Sequence, residues 1–570
     1  AAAVGLLAAG IHVATPEPDA HRLNYGVVSL LRDIDRGAGP PPARGRTVPG
    51  EAAPLRLLSV EEGRTATVAV VSHWHQRQLV INGKVDASSG DPTEVLLGQL
   101  PMILADSARR VLVIGFGSGI TTHSVLTHPV ERVETAEIEP AVVAAGRFFA
   151  DLNGRVGHDP RSVVHFEDGR THLAYARATY DVIISEPSNP WIAGINNLFT
   201  VEFYRLVRQR LSPDGLFCQW LHGYDMSRET LSSLLGTLAT VFPGAEVYRQ
   251  NLDFLVIWKG GGAFPSRARF ERALARPAVR ADLARVGFRG PEDLFALYLG
   301  PIEAVTPAGW RPNSDDNGLV EFRAPLDLLR RGEREAWNTP PIATLALRRY
   351  DATLPDRTVL EFLAEGVERR RDLDRMRDLL AALESEGAPA VMRLRIGISR
   401  LEAARASAAR VARLQRESDA AFEARDFARA EALLGEALAL SHDDPDLLFR
   451  HGKVLVQLGR ADEAEQSLTA AVNARNAQLV WHIDAGEPYQ AWLMLGIIAS
   501  MRGVFDDAIV RFDRARELNP YQTSAYVLLG ATYEVMGRLD EARRAVAAGL
   551  AIDPADGKLL EIDRRLRATP

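Results

Sequence analysis

Val111-Leu-Val-Ile-Gly-Phe-Gly-Ser-Gly-Ile120 sets four apolar residues ahead of a loop with glycine at 115, 117 and 119. The apolar run predicts a buried strand. The glycines predict a turn that a ligand can approach closely, because no Cβ blocks the backbone. A helix starting near Thr121 would aim its free amide groups at whatever sits there. Glu137 closes a second apolar strand over 133–138, about twenty residues on, the separation at which an acidic residue meets ribose hydroxyls in strand-helix-strand nucleotide sites. Strand, glycines, helix and acidic strand end, in that order, describe a nucleotide pocket. The spacing is G-x-G-x-G and no Lys-Ser/Thr follows, so an adenosine without phosphates is the expected ligand.

Outside this stretch the composition is that of an ordinary globular protein. The 570 residues, 46% apolar and 25% charged, predict about three or four domains. A net charge of −7 without a basic block leaves no electrostatic footprint for nucleic acid. Cys218 is the single cysteine, which excludes an internal disulfide and a cysteine-built metal site; its apolar setting predicts a core thiol. The chain opens Ala1-Ala-Ala-Val-Gly-Leu-Leu-Ala-Ala-Gly-Ile-His-Val13, too short a run to span a bilayer, which needs about twenty residues. Two readings stand: the last turns of a membrane helix that begins before residue 1, which would hold the protein at the cytoplasmic face of a membrane, or an apolar N-terminal helix of a cytoplasmic protein. Residues 36–54 predict a linker.

From Arg64 the pattern turns to strands. Residues 65–71, 78–81 and 84–87 are β-rich, and Asn82-Gly83 is a strong hairpin-turn signal. His73 and His75 flank Trp74 without a third ligand nearby, so they predict loop histidines and no metal site. After Glu137, strands and helices alternate: helix 140–149, strand 163–166, strand 180–186, helix 200–211, strand 215–221, helix 228–241, and strands 246–249 and 254–258. Alternation of this length predicts a mostly parallel sheet covered by helices, with ligands at the carboxyl ends of its strands, where Gly115, Glu137, Asp168 and Glu186 fall.

Residues 64 to about 260 resemble the spermidine synthase family of aminopropyltransferases. The matching pieces are Gly115-Phe-Gly-Ser-Gly-Ile120, Ala136-Glu-Ile-Glu139, Glu167-Asp-Gly-Arg170, Tyr180-Asp-Val-Ile-Ile-Ser-Glu-Pro-Ser-Asn-Pro190 and Asn197-Leu-Phe-Thr-Val-Glu-Phe-Tyr204. The resemblance implies a small N-terminal β domain ahead of a methyltransferase-like (Rossmann-like) α/β fold. It also implies that Glu137 holds the ribose, that Asp168 and Gly169 recognise the adenine, and that the loop Gly115, Gly117, Ser118, Gly119 borders the sulfonium arm. A carboxylate suits ribose because it can accept from two hydroxyls. Each residue also has a plainer reading, Glu137 as a solvated strand end and Asp168 as a helix cap.

Three departures from the family pattern bear on chemistry. Glu186-Pro-Ser-Asn-Pro190 stands where members that make spermidine have Asp-Ser-Ser-Asp-Pro, so the base falls to Glu186 while Asn189, an amide, cannot act as one. Ser118 replaces an aspartate that pairs with the amine of decarboxylated S-adenosylmethionine, which admits intact S-adenosylmethionine as donor. Asn82 and Asp86 replace an aspartate and a glutamine on the acceptor side, predicting a weaker hold on a dication such as putrescine. Three reactions fit: transfer of the aminopropyl or carboxyaminopropyl arm to an amine, cleavage of that arm as a lyase with release of methylthioadenosine, and methyl transfer. A scaffold that senses S-adenosylmethionine without catalysis is the reading of another class. No metal is expected.

The C-terminal third repeats. Gly496, Gly503, Ala508, Ala515 and Pro520 recur 34 residues later as Gly530, Gly537, Ala542, Gly549 and Pro554, and Ala430 and Ala437 recur as Ala464 and Ala471. This is the tetratricopeptide period, and it predicts four repeats with a larger loop around 474–488, forming a surface for a protein or peptide partner or for self-association. Residues 313–322 predict a turn leading into a strand, and the Arg/Glu-rich stretch 366–416 predicts solvated helices. The expected division is 1–55 apolar segment and linker, 56–100 β-hairpin domain, 101–262 Rossmann-like domain, 263–415 extension and helical connector, and 416–570 repeats.

Overall fold

A computed structural model of the chain describes residues 56–73, 76–105, 107–192, 194–224, 226–260, 266–327, 356–370, 372–384, 390–477, 488–518, 520 and 522–568. The expectations for residues 1–55 and His75 lie outside these, as does the side chain of His73. No helix among the described residues is long and apolar enough to cross a membrane.

Four strands open the structure as an antiparallel meander: β1 Arg56–Glu62, β2 Thr67–His73, β3 Gln76–Ile81 and β4 Lys84–Ser88. Strand β1 escapes the pattern rules because a register shift between Leu57 and Ser59 breaks its alternation. Asn82 and Gly83 both take left-handed backbone angles, φ 49° and 79°, as the two-residue hairpin turn requires. Helix α1, Pro92–Leu104, comes next, capped by Asp91, which accepts from the Thr93 amide at 2.8 Å. All thirteen residues of α1 are buried, and the helix continues past position 100 with Pro101 in its interior, linking the meander to the second sheet along the chain.

That second sheet has eight strands: β5 Arg110–Ile114, β6 Arg132–Ala136, β7 Ser162–His165, β8 Tyr180–Ser185, β9 Leu211–His222, β10 Glu246–Gln250, β11 Asp253–Lys259 and β12 Tyr298–Pro301. Their order in space is β12-β10-β11-β9-β8-β5-β6-β7. The pairs from β7 across to β9 are parallel and the remaining edge is antiparallel. The chain runs outward from β5 to β6 and β7, then returns to β8 on the other side of β5. The crevice between the carboxyl ends of β5 and β8 is therefore the switch point at which open α/β sheets bind ligands. Alternation on β5 feeds two cores: Val111 and Val113 face α1, while Leu112 and Ile114 face α5 (Val201–Arg210) and α6 (Arg228–Val241), defined after α2 (Ile120–Leu126), α3 (Pro140–Ala145) and α4 (Gly169–Tyr175). Cys218 lies fully buried in the first core, where burial pushes its thiol up.

Two sequence expectations need correction. Residues 313–322 lead into a helix, α7 Leu319–Asp327, because Val320, Ala324 and Asp327 recur on one buried face at helical spacing. The stretch 366–416 is not simply solvated: α8 Asp356–Arg370 and α9 Leu373–Glu384 bury Leu363, Val367, Met376 and Leu379 in the same core as β5. Strand β12 also extends the sheet past residue 262.

The remaining helices form four hairpins, α10 Ala390–Glu423 with α11 Phe427–Leu440, α12 Pro445–Gln457 with α13 Ala461–Ala477, α14 Pro488–Met501 with α15 Phe505–Leu518, and α16 Thr523–Val535 with α17 Leu539–Ile552, followed by α18 Gly557–Ala568. The periodic glycines are contact positions: a Cβ on Gly452, Gly496 or Gly530 would come within 2.6 Å of Leu468, 2.4 Å of Phe512 or 2.8 Å of Val546. Gln522, beside α16, donates to the Ser72 hydroxyl of β2 at 3.4 Å, so the array returns to touch the first sheet. Gly496→Ala forces Phe512 out of its place and should destabilise by about 1–3 kcal/mol. Gly435→Ala meets nothing within 4 Å and should stabilise α11 by about 0.5–1 kcal/mol. Urea unfolding followed by helical circular dichroism reads both, and equal effects from the two would contradict this packing.

Candidate active site

The loop after β5 is built on left-handed glycines, with φ 97° at Gly115, 52° at Gly117 and 82° at Gly119. At Gly115 a Cβ would lie 2.4 Å from the Glu186 carbonyl oxygen, so only glycine lets the loop pass the end of β8. The Glu186 amide in turn donates to the Ile114 carbonyl at 2.8 Å. Glu137, just past β6, is buried and not a solvated strand end: its two oxygens accept from the Phe116 amide at 2.9 Å and the Glu139 amide at 2.8 Å. The Ile138 amide also faces this carboxylate, and of its roughly four lone-pair sites the amides leave capacity that a ribose hydroxyl would use. Asp168 is the N-cap of α4, accepting from the Thr171 amide at 2.8 Å, and Gly169 packs so closely on Ile114 that a Cβ would sit 2.3 Å from it. Capping engages one Asp168 oxygen, and the side chain is half-buried.

On the other side of the loop the structure gathers carboxylates. Ser118 is fully buried, and both its amide (3.2 Å) and hydroxyl (2.8 Å) donate to Glu94 Oε1 from α1. Glu94 Oε1 and Glu186 Oε1 both lie near Gly117, 3.0 and 3.3 Å from where its Cβ would be. Asp253 accepts from Thr93 Oγ1 and from Trp220 Nε1, each at 3.0 Å, and Asp91 caps the same turn. Glu94 and Asp253 were not legible as site residues. Asp91-Pro92 and an acidic first turn are what any helix start shows, and the signal available was a glutamate on a helix with no polar face.

Asp86 joins this region from β4: it accepts from Ser188 Oγ and from Lys84 Nζ, both at 2.6 Å. Asn82 does not. It is exposed at the hairpin tip, where its Oδ1 accepts the Thr67 amide at 3.0 Å, and the turn consumes the side chain. Asn189 is fully buried, its amide atoms without a well-formed hydrogen bond, and the Tyr224 hydroxyl lies alongside. His222 is buried between the rings of Trp220 and Tyr224.

Burial of so many acids sets their protonation. Burial, reinforced by Glu94, pushes Glu186 well above the usual carboxylate range. Burial outweighs the Ser118 hydrogen bonds and raises Glu94 to about 7; burial and Asp91 raise Asp253 to about 7. Burial also raises Glu137 and Asp91. Burial and Lys84 hold His222 well below its ordinary value, so its ring is neutral.

A folded-state acid held above its unfolded value binds a proton that the unfolded chain has lost, so stability falls as pH rises from the unfolded value to the folded one. For Glu94 that window runs from its ordinary 4.5 to about 7. Glu94→Gln keeps the acceptor for Ser118 and removes the charge. It should stabilise by up to about 3 kcal/mol at pH 8, and the gain should vanish as pH approaches the unfolded glutamate value. Denaturation curves across this range check it; a pH-independent difference would contradict the burial of Glu94 as an acid.

Comparison with known proteins shows what the chain is similar to. The spermine/spermidine synthase domain family matches residues 92–252, and the tetratricopeptide repeat family matches 421–483 and 501–561. The spermidine synthase of Dictyostelium discoideum is 31% identical over 172 residues, 30% of this chain and 60% of that protein. The spermidine synthase of Coffea arabica is 30% identical over 210 residues, 35% of this chain and 66% of its own length. Polyamine aminopropyltransferase 2 of Streptomyces coelicolor is 31% identical over 250 residues, 42% of this chain and 41% of its own. The chain thus spans less than two thirds of the length of each. Among solved structures, spermidine synthase from Thermotoga maritima aligns with a TM-score of 0.34 and 22% identity, covering 36% of this chain and 73% of that one. Residues 92–252 are a spermine/spermidine synthase domain, and the chain carries tetratricopeptide repeats behind it.

Proposed function

We propose that the domain is an aminopropyltransferase that takes decarboxylated S-adenosylmethionine as donor and an amine as acceptor, and releases methylthioadenosine. The observation that carries this reading is the pair of buried acids, Glu94 and Glu186, whose oxygens converge on Gly117. The sequence suggests that Ser118 leaves this position uncharged and open to intact S-adenosylmethionine. In the fold Ser118 is instead the hydrogen-bond partner of Glu94, which supplies the missing acid from another element. A donor carboxylate would meet two acids here, whereas a donor ammonium would neutralise them.

The adenosine lies between the Glu137 carboxylate and the Asp168-Gly169 turn, and the sulfonium arm runs along the glycine loop. The acceptor nitrogen attacks the methylene carbon bound to sulfur. The C–S bond breaks, its electron pair stays on sulfur, and methylthioadenosine leaves neutral. The new ammonium gives up a proton to Glu186, whose Oε2 is buried with no hydrogen-bond partner. The Asn189 carbonyl can accept an N–H of the amine and orient it without taking a proton. The far end of the acceptor meets a carboxylate already paired on one oxygen, because Lys84 Nζ and Ser188 Oγ both donate to Asp86 Oδ1, the Lys84 and Asp86 side chains being about nine-tenths buried, and only Oδ2 keeps no partner. Acceptors with a single amine, which attacks in its neutral form, and an uncharged far end are therefore favoured over putrescine.

The test follows the adenosyl product by mass after incubation with decarboxylated or intact S-adenosylmethionine, alone, with putrescine or with butylamine. Methylthioadenosine formed only from the decarboxylated donor plus amine, faster with butylamine, is the expected result. Release from intact donor alone would replace this reading by a lyase, S-adenosylhomocysteine by a methyltransferase, and absence of turnover by a non-catalytic binder. Glu186→Gln should lower kcat by about 10²–10⁴-fold, and activity within threefold of the parent would remove Glu186 as the base.

A further inference from the structure

Four polar groups converge on the far side of β6 from the buried carboxylates around Gly117. Glu134 lies on β6, His165 ends β7, His172 is in α4 and Tyr180 begins β8. One ligand atom each from Glu134, His165 and His172 lies within 4.8 Å of the others. Glu134 Oε2 is 3.6 Å from His165 Nε2 and 3.6 Å from His172 Nε2. The Tyr180 hydroxyl is 2.9 Å from Glu134 Oε2 and 2.9 Å from His172 Nε2. Zinc-ligand bonds of about 2.0–2.1 Å in tetrahedral array put ligand atoms roughly 3.3 Å apart. The four measured edges straddle that spacing.

The surroundings are those of ligands held in place. Glu134 Oε1 accepts from Arg132 Nε at 2.8 Å and Arg110 Nη2 at 3.1 Å, which fixes the carboxylate and turns Oε2 inward. His172 Nδ1 lies 2.7 Å from Glu167 Oε1, the carboxylate-histidine arrangement that leaves Nε2 with its lone pair facing the cluster. His165 Nε2 is buried and has no hydrogen-bond partner. A proton-held chain, with His172 donating to Tyr180 and Tyr180 to Glu134, satisfies three of the four groups and leaves that nitrogen unexplained. A cation at the centre satisfies all four.

We propose that Glu134, His165 and His172, with Tyr180 as fourth donor, form a binding site for a divalent transition metal of the zinc class. Two imidazoles and a carboxylate favour such an ion over magnesium or calcium, which take oxygen ligands. All four positions come from protein, so the site is structural, with no open coordination place for a water. It ties β6, β7, α4 and β8 together and spans the turn at 166–169. The half-exposed guanidinium groups of Arg110 and Arg132 oppose a dication, so the ion is held reversibly and can be removed by a chelator.

The experiment uses the whole chain, stripped with a chelator and titrated with cobalt(II), whose visible ligand-field absorption reports coordination without reference to activity. A single cobalt ion giving an intense tetrahedral band, displaced by zinc, is the expected result. His165→Ala should abolish the band; this side chain is 31% exposed, and far-UV circular dichroism confirms that the variant is folded. Glu167→Gln should weaken binding by about 10–100-fold, and Tyr180→Phe should retain binding with an altered band. No cobalt uptake by the parent chain, or a band unchanged in His165→Ala, would overturn the proposal and leave the proton-held chain as the account of this cluster.

Discussion

The close approach of Gly115 to the carbonyl of Glu186 is the contact on which the arrangement of the site depends. It brings the glycine loop and the end of β8 together at the switch point, and both then hold what surrounds them. Phe116, next in the loop, donates its amide to Glu137, while Gly117 leaves room for Glu94 and Glu186 to meet beneath it. A methyl group at 115 would have to displace backbone, not a side-chain tip, so the geometry has no inexpensive substitute.

The second constraint is electrostatic. Asp91, Glu94, Glu137, Glu186 and Asp253 are drawn into low dielectric with few cations to answer them, and burial raises each. Such a cluster works against stability and in favour of a cationic guest, since the charge that the fold lacks is the charge a sulfonium or an ammonium brings. Lys84 provides part of it permanently. The site is thus tuned by a side chain of the hairpin that the sequence gives little reason to single out.

The parallel sheet was legible because its signals are local: a strand, three glycines, a helix and an acidic strand end within thirty residues. The repeats were legible because their small residues recur at one period. Other features arise only from tertiary approach. Glu94 lies 24 residues before Ser118 on a helix that looks like core, and Asp253 opens a strand 160 residues after Thr93. Asn82 failed in the opposite sense, since its neighbour Gly83 already marked it as a turn residue and the turn takes its side chain. The helices after residue 356 are rich in Arg and Glu, yet their apolar stripe docks on the sheet domain, and composition alone did not reveal what that stripe would meet.

Helix α1 carries the cap Asp91 at its start and Glu94 one turn in, and none of its thirteen residues is exposed. At about 1.5 Å per residue it is roughly 20 Å long, packed on α2 and across β8, β9 and β11 of the large sheet, with apolar side chains of the meander in the same core. Neither part can release it without baring apolar surface and leaving the other incomplete. The front meander and the large sheet therefore share one apolar core, in which Val68, Val70, Leu79 and Ala87 lie with α1 and with Val111 and Val113 of β5.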